Sequence, residues 1–315
     1  MDQKNMLEKL GFPGVLSIYV FVTITMEARL GRVCALTMVY RDHWALSRWY
    51  VHHAAQLGVE NLFIIAHGTD PEIARICPGA SIITVPREDL SGFDRKRAEM
   101  LDGFHAGLAR VYEWVIRLDA DELLCFDPKL YESLPEALTT QDAPVITALG
   151  FDVVGRQVPA PGPVLAQMRE ISFSGHYSKA VAARRAISFR LHGVQVAPRR
   201  LAGFPMHMPR GLYLAHLKYA NPEALADANL IREDVARGPG KGLPGGGWSE
   251  ARTDARRFLE GFDAKPFMPW EEAEAQAHAT LSIKPSRLER YNVVKARALK
   301  LKTRTRLPKS FANQG

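Results

Sequence analysis

Cysteine is scarce in this chain of 315 residues, with only Cys34, Cys77 and Cys125. The number is odd, the spacings are long and no CxxC pair occurs. A disulfide framework and a zinc ribbon are therefore disfavoured, and a reducing compartment is expected. Internal repeats, sustained heptads and long low-complexity tracts are also missing. No apolar run reaches the ~20 residues that a membrane helix needs. The nearest approach, "GFPGVLSIYVFVTITM" from Gly11 to Met26, is short, lacks an A-x-A-like cleavage site and is flanked by acids. Its β-branched content suits a strand or a disordered leader, with a signal anchor as the lesser reading and Met26 as an alternative start. Acid is nearly absent from the C-terminal end. From Leu281 onward there are ten Lys/Arg and one acid, Glu289, so this stretch carries +9 while the rest of the chain is slightly acidic. Such a tail binds nucleic acid, anionic lipid or an acidic partner, or is simply solvated. As a helix it would align Tyr291, Val294, Ala298 and Leu301 in a narrow apolar stripe.

What is present is ordinary for a soluble globular protein: 47% apolar and 24% charged residues. The length allows one large domain or two modest ones. "VCALTMVY" (33–40) is a continuous apolar run, as expected of a strand covered on both faces. "DHWALSRWYVHHAAQLG" then shows helical spacing closed by Gly58. "NLFIIAH" and "SIITVP" read as two further strands, and 94–112 reads as a helix with Leu101, Phe104, Leu108 and Val111 on one face. "WVIRL" follows as a strand. This succession predicts an α/β wind with a largely parallel sheet, in which ligands collect beyond the carboxyl ends of the strands. "APVITALGFDVVG" reads as one more strand. "RGPGKGLPGGGWSE" (237–250) reads as a mobile loop bearing one aromatic, Trp248.

Directly after "WVIRL" come Asp119-Ala120-Asp121-Glu122. Crowded carboxylates repel one another unless a positive charge sits among them. Asp119 and Asp121, one residue apart at a sheet's carboxyl end, suit a divalent cation that also holds phosphate oxygens. A plain solvated turn is the bland reading, because a lone DxD occurs often by chance.

"WVIRLDADELL", preceded by "FDRKRAEMLDGFHAGLARVYE", resembles the nucleotide-sugar half of family 2-type glycosyltransferases with the GT-A fold. It is most similar to the subgroup whose motif reads roughly dW-apolar-apolar-x-L-D-A-D-E-F. The stretch from "VCALTMVY" to "HGTDP" fits the same subgroup. The resemblance covers about 32–127 well and continues thinly through "GHYSKAV", "LHGVQ" and "AHLKYANPEAL". It implies a Rossmann-like, mostly parallel sheet flanked by helices, an irregular acceptor region and a basic helical tail. It also implies a metal-dependent transferase acting on a nucleoside-diphosphate sugar. Asp121 would ligate Mn²⁺ or Mg²⁺ directly, and Asp119 would touch the donor ribose or the metal through water. His216 would be a third ligand, with His192 a weaker candidate. Asp70 would close the nucleotide pocket, Arg97 would meet the diphosphate, and Lys179 would balance the leaving phosphate or contact the acceptor. The chain departs from the pattern at Ile65-Ala66-His67, where many relatives carry a base-reading acid. For the catalytic base, Asp152 and Glu170 are the carboxylates downstream of the motif.

The expected division is a leader over 1–30, a transferase domain over 31–235, a flexible loop over 236–250 and a helical basic extension over 251–315. A glycan, polysaccharide or lipid-linked acceptor is expected, in a cytoplasmic protein that contacts the inner face of an anionic membrane through its tail. Nucleic acid is not an expected partner. Two alternatives stand beside this reading. Nucleotidyltransferases also place paired carboxylates after a strand, although they usually show a Gly pair about a dozen residues earlier. A non-enzymatic polyanion or membrane binder would use the tail but leaves the DADE block unexplained.

Overall fold

The structure, a computed structural model, describes residues 32–314; the leader and alternative start read within residues 1–31 lie outside it. β1 (Val33–Val39) is buried at all seven positions, as its unbroken apolar run requires. It pairs in parallel with β2 (Leu62–His67), and β2 pairs in parallel with β3 (Ser81–Val85). β4 (Trp114–Arg117) lies parallel on the other side of β1. The crossovers are α1 (His43–Leu57), α2 (Glu72–Ile76) and α3 (Phe93–Leu108). The parallel order β3-β2-β1-β4 reverses direction at β1, which opens a crevice beyond the carboxyl ends of β1 and β4. α3 stops four residues before the expected Tyr112. Leu101 is buried on its inner face, whereas Val111 lies past its end and is 69% exposed.

The chain then changes sheets repeatedly. β5 (Glu122–Phe126) begins a second sheet, and α4 (Leu134–Thr139) leads into β6 (Val145–Thr147) and β7 (Leu149–Val154). The single strand expected over "APVITALGFDVVG" is thus two strands. β6 belongs to the first sheet and β7 to the second, with Ala148 donating its N–H to Lys179 O at the switch (3.0 Å). After α5 (Val164–Gln167) come β8 (Glu170–Phe173), β9 (Ala180–Ala183), β10 (Ser188–Arg190), β11 (Gly193–Gln195) and β12 (Leu212–Tyr219). β9 runs antiparallel between β4 and β6, completing a six-stranded first sheet. The protein is therefore α/β, with a mostly parallel sheet flanked by helices and extended by antiparallel strands. α6 (Pro222–Arg237) starts on Asn221, whose side chain accepts the N–H groups of Glu223 and Ala224, with proline at the first helical position. α7 (Gly246–Ser249), α8 (Ala251–Asp263) and α9 (Trp270–Leu281) follow.

The basic tail is not a helix. Beyond Leu281 it forms β13 (Ser286–Leu288), β14 (Val293–Lys295), β15 (Thr305–Arg306) and short 3₁₀ turns. β14 pairs with β11 in a small antiparallel sheet, and β15 pairs with β8 at the edge of the second sheet. The residues expected to form one stripe separate accordingly: Val294 is buried and Tyr291 is exposed. Pro285 and Pro308 break a helical frame, and Val293-Val294, Thr303 and Thr305 favour extended backbone. Two sheet edges that need hydrogen-bond partners take the segment instead. Its cations Lys284, Lys300, Lys302 and Lys309 stay exposed, while Leu307 and Phe311 are fully buried. Gln314 ends the strap: it donates to Phe126 O (2.6 Å) and accepts from Phe126 N–H (3.0 Å). The region read as an appended extension therefore completes two sheets of the main body.

Phe311 touches Tyr213 and Trp270 in the principal core. Phe311→Ala is expected to destabilise the fold by about 3 kcal/mol, the usual cost of emptying a buried aromatic site. Denaturant unfolding monitored by Trp fluorescence measures this. A loss under about 1 kcal/mol would mean that the strap does not pack as described.

Candidate active site

Asp119-Ala120-Asp121-Glu122 form the turn by which the chain leaves the first sheet and enters the second. Glu122 N–H donates to Asp119 O (3.1 Å), and Asp119 N–H donates to the Glu122 carboxylate (2.9 Å). Lys179 sits just ahead of β9. The antiparallel pairing of β9 with β4 carries its ammonium between two acids, 3.0 Å from Asp119 and 2.8 Å from Glu122. Arg97, in the second turn of α3, reaches the other oxygen of Asp119 at 2.5 Å. The positive charge that the acids require is thus supplied by the chain itself.

Strand register builds the second part of the site. β12 runs between β5 and β7, and His216 stands opposite Glu122 on one side and Asp152 on the other. Side chains at paired positions lie side by side on one face. His216 Nδ1 accordingly meets Asp152 at 2.6 Å, and Nε2 lies 3.5 Å from Asp121. Arg232 approaches Asp121 from α6 at 3.4 Å. Tyr177 lies flat on the His216 ring, with centroids 3.6 Å apart and planes 24° apart. That packing needs glycine at 150, because a Cβ there would fall 2.2 Å from the Tyr177 carbonyl oxygen.

These contacts set the charges. Burial pushes the Asp119 carboxyl upward, but Lys179 and then Arg97 outweigh it and hold Asp119 well below the usual range. Burial likewise opposes ionisation of Asp121, and the His216 hydrogen bond and charge overcome it, bringing the group to about 2. Glu122 is the exception. Burial pushes it up to about 7, against the pull of Lys179, and its Oε1 is buried without a partner among the described residues. His216 is buried, which disfavours charge, yet its bonds to Asp121 and Asp152 raise it to about 9.

The site opens into a cleft of about 360 Å³. Its floor is Asp119, Ala120, Asp121 and His216; Arg97, Lys218 and Arg232 bring positive charge. At the ends of β1 and β2 the wall is Tyr40, Asp42 and His67. The Arg87 guanidinium lies 3.5 Å over the Tyr40 ring and 2.9 Å from His67 Nδ1. Across the mouth, Trp248 packs edge-on against Phe93 (5.4 Å), and Gly92 N–H donates to Lys241 O (2.8 Å). The segment read as a structureless loop therefore holds one helical turn, α7, and covers the cleft.

Of the residues singled out in sequence, Arg97, Asp119, Asp121, His192 and His216 line the cleft, and Lys179 lies beneath Asp119. Three expected positions lie outside the cleft lining. Asp70 is not among the lining residues; it pairs with His43 (2.7 Å) and accepts Glu72 N–H, as an acid at a helix start does. Glu170 lies on β8 facing Arg304 and Arg306 of the strap, each at 3.7 Å, and is not among the lining residues. Asp152 lies behind His216, spent on its Nδ1, and does not reach the cleft. Asp42, Arg87, Tyr177 and Arg232 also line the cleft, although none was singled out in the sequence. Asp42 had a signal, since it follows the buried run of β1 as Asp119 follows β4. Burial, and next the Asp121 charge, raise it to about 6. Arg87 and Arg232 had none, because they reach the cleft only through the packing of distant segments.

No protein-family profile matches the chain, and no curated protein matches it. Solved structures overlap with it, and two illustrate the likeness. One is a CMP:2-keto-3-deoxy-manno-octonic acid synthetase complexed with CTP: 16% identical, covering 73% of this chain and 98% of that one, TM-score 0.29. The other is a mannose-1-phosphate geranyltransferase from Thermus thermophilus: 15% identical, covering 88% and 74%, TM-score 0.28. Likeness at that level decides nothing about activity.

His216 carries a pH signature. Its folded value of about 9 exceeds its ordinary 6.5, so the stability it contributes is complete below pH 6.5 and is lost as pH rises through 9. Metal-free protein in EDTA is expected to melt at progressively lower temperature from pH 6.5 to 9, and His216→Gln is expected to flatten that decline. Parallel slopes for the two proteins would rule out the charged His216 bridge.

Proposed function

We propose that this protein is a nucleotide-sugar-dependent transferase that moves a glycosyl group from a nucleoside diphosphate to an acceptor hydroxyl on a glycan or lipid-linked molecule. The observation that supports the reading is the Asp121–His216–Asp152 array, with Asp121 in the turn after β4 and the other two within β12 and β7, set in a cleft lined by four cations, Arg87, Arg97, Lys218 and Arg232. Asp121 and His216 fit a divalent cation, Mn²⁺ or Mg²⁺: one carboxylate and one imidazole whose other nitrogen is held by a second carboxylate. No group of three or more His, Cys, Asp or Glu suited to a metal occurs among the described residues, so phosphate oxygens and water would complete the shell. Asp119, whose oxygens already accept from Arg97 and Lys179, would touch the metal through water or meet the donor ribose. When bound, such an ion offsets the charge that grows on a departing diphosphate.

The chain's own groups act in the same direction. Arg97 is locked on Asp119 and needs no reorganisation to face a phosphate, which is where preformed charge is most effective. Asp152 fixes the orientation of His216, and Tyr177 excludes water from one face of its ring. The α7 turn, with Trp248, forms a lid over the donor. It follows a Gly- and Pro-rich stretch, 238–245, that leaves little to pack, and closure would keep water from a reactive donor.

Nucleotidyl transfer is the second reading. A cleft with four lining cations has charge enough for a triphosphate. No helix among the described residues is long and apolar enough to cross a membrane. A peripheral contact with an anionic membrane is proposed through the exposed lysines of the strap, each worth about 1 kcal/mol at such a surface.

Product analysis separates the two readings. Incubation with nucleotide sugars and Mn²⁺ is expected to release nucleoside diphosphate, whereas a nucleotidyltransferase would release pyrophosphate from a nucleoside triphosphate and a sugar phosphate. Asp121→Asn is expected to lower turnover at least ~100-fold with the fold intact, because a neutral amide ligates a hard cation poorly. Undiminished activity in EDTA or in that variant would sink the metal–diphosphate reading. Limited proteolysis is expected to cut within 238–249 in the free protein and to slow when nucleoside diphosphate and Mn²⁺ are added. Unchanged cleavage would argue for a plain linker.

A further inference from the structure

With Asp152 buried behind His216 and Glu170 outside the cleft, the acceptor hydroxyl has lost both expected proton acceptors. The hairpin β10–β11 supplies another. Arg190 pairs directly with Gly193, so its loop is two residues long, Leu191 and His192. Both have positive φ, 50° and 67°. Two-residue hairpin loops of this kind favour Asn-Gly, because a side chain at positive φ crowds its own backbone. Leucine followed by histidine is a poor local choice, and strained backbone of this sort collects at sites that use it.

The strain delivers the His192 ring to the cleft. His192 O accepts Ala180 N–H (3.3 Å), which lays the hairpin tip over the residue after Lys179. Its Nδ1 lies 2.6 Å from the His176 carbonyl oxygen. A carbonyl only accepts, so Nδ1 carries the proton and Nε2 keeps its lone pair. The ring packs 4.3 Å from that of His176 and 5.9 Å from that of Tyr177, which itself covers His216. Nε2 has no hydrogen-bond partner among the described residues, and His192 lines the cleft. Of the lining acids, Asp119 is held by two cations and Asp121 by His216 and Arg232.

We infer that His192 is the general base of the transfer reaction, with Nε2 accepting the proton of the attacking hydroxyl; the assignment rests on the glycosyl-transfer reading above. As the hydroxyl oxygen bonds to the anomeric carbon, its proton passes to Nε2. The bond from that carbon to the diphosphate breaks, and the diphosphate leaves with the electron pair. Burial, then the nearby Lys179 and His176, hold the free imidazole down at about 3, so in the free protein it is neutral but a weak acceptor. Arrival of an anionic diphosphate beside Lys179 offsets the largest of those opposing charges and strengthens the base.

The test compares wild type, His192→Asn and His192→Gln. Asparagine tolerates positive φ, so the hairpin keeps its shape without the imidazole. The probes are UDP, CDP, GDP and ADP with Mn²⁺ for binding by thermal shift, and the matching nucleotide sugars for diphosphate release. The expected result is a fall in kcat of at least ~100-fold in both variants, with KM and the diphosphate-induced melting shift unchanged and partial rescue of His192→Asn by added imidazole. A kcat within about threefold of wild type overturns the assignment, and so does a loss confined to KM and diphosphate binding. If wild type binds none of the four diphosphates, the transferase reading itself fails and the assignment falls with it. Wild-type binding and turnover with unimpaired variants removes His192 alone.

Discussion

The arrangement depends on one electrostatic constraint: acids crowded where two sheets meet, with Glu122 fully buried and Asp119 and Asp121 partly so, must have cations among them. Lys179 meets that constraint by standing between Asp119 and Glu122, with Arg97 closing the far side of Asp119. Leaving one buried partner unpaired typically costs several kcal/mol. The turn is therefore stabilised by the pairing of β9 with β4, which places Lys179, and the antiparallel half of the first sheet helps to hold the end of the parallel half together. Glu122 shows how closely the balance is drawn. It shares Lys179 with Asp119, keeps one oxygen without a partner among the described residues and is pushed up to about 7.

The same compensation divides the cleft by task. Asp119 is paired internally and orients cations. Asp121 is held more loosely, by His216 at 3.5 Å and Arg232 at 3.4 Å, so its oxygens can be claimed by a ligand. On one side lie aromatic groups and Arg87 at the strand ends, where Phe93 and Trp248 meet. On the other lie the His176–Tyr177–His192 rings. A two-ended cleft with a charged centre suits a substrate with an aromatic end, a charged middle and a reacting end.

Much of this was legible in the residues. The four parallel strands of the first sheet were all visible as apolar runs, and DADE was visible as acid directly after one of them. The acid cluster also contained its own answer in principle, since crowded acids imply nearby cations. Which cations could not be read. Lys179 is sixty positions from Asp119, and Arg232 is more than a hundred from Asp121. The tail misled for a related reason. Its charge pattern suited a surface helix, but Val293, Val294, Leu307 and Phe311 had cores and strand edges waiting for them, and edge pairing outweighs weak helical preference. Glu170 was chosen for its type and its place downstream, and only the pairing of β15 with β8 showed that strap arginines face it.

By itself the amino-acid order determined the local terms: which runs are strands, where α6 is capped, and that acids end a buried strand at the side of the sheet where ligands bind. Those follow from side-chain periodicity, capping and desolvation, which act over a few residues. The tertiary structure alone decided that the acids are neutralised from within, that His216 is held between Asp121 and Asp152, and that a strained Leu-His turn brings an imidazole to the cleft. These are consequences of strand register, and register is set by burial summed over whole sheets rather than by any one segment.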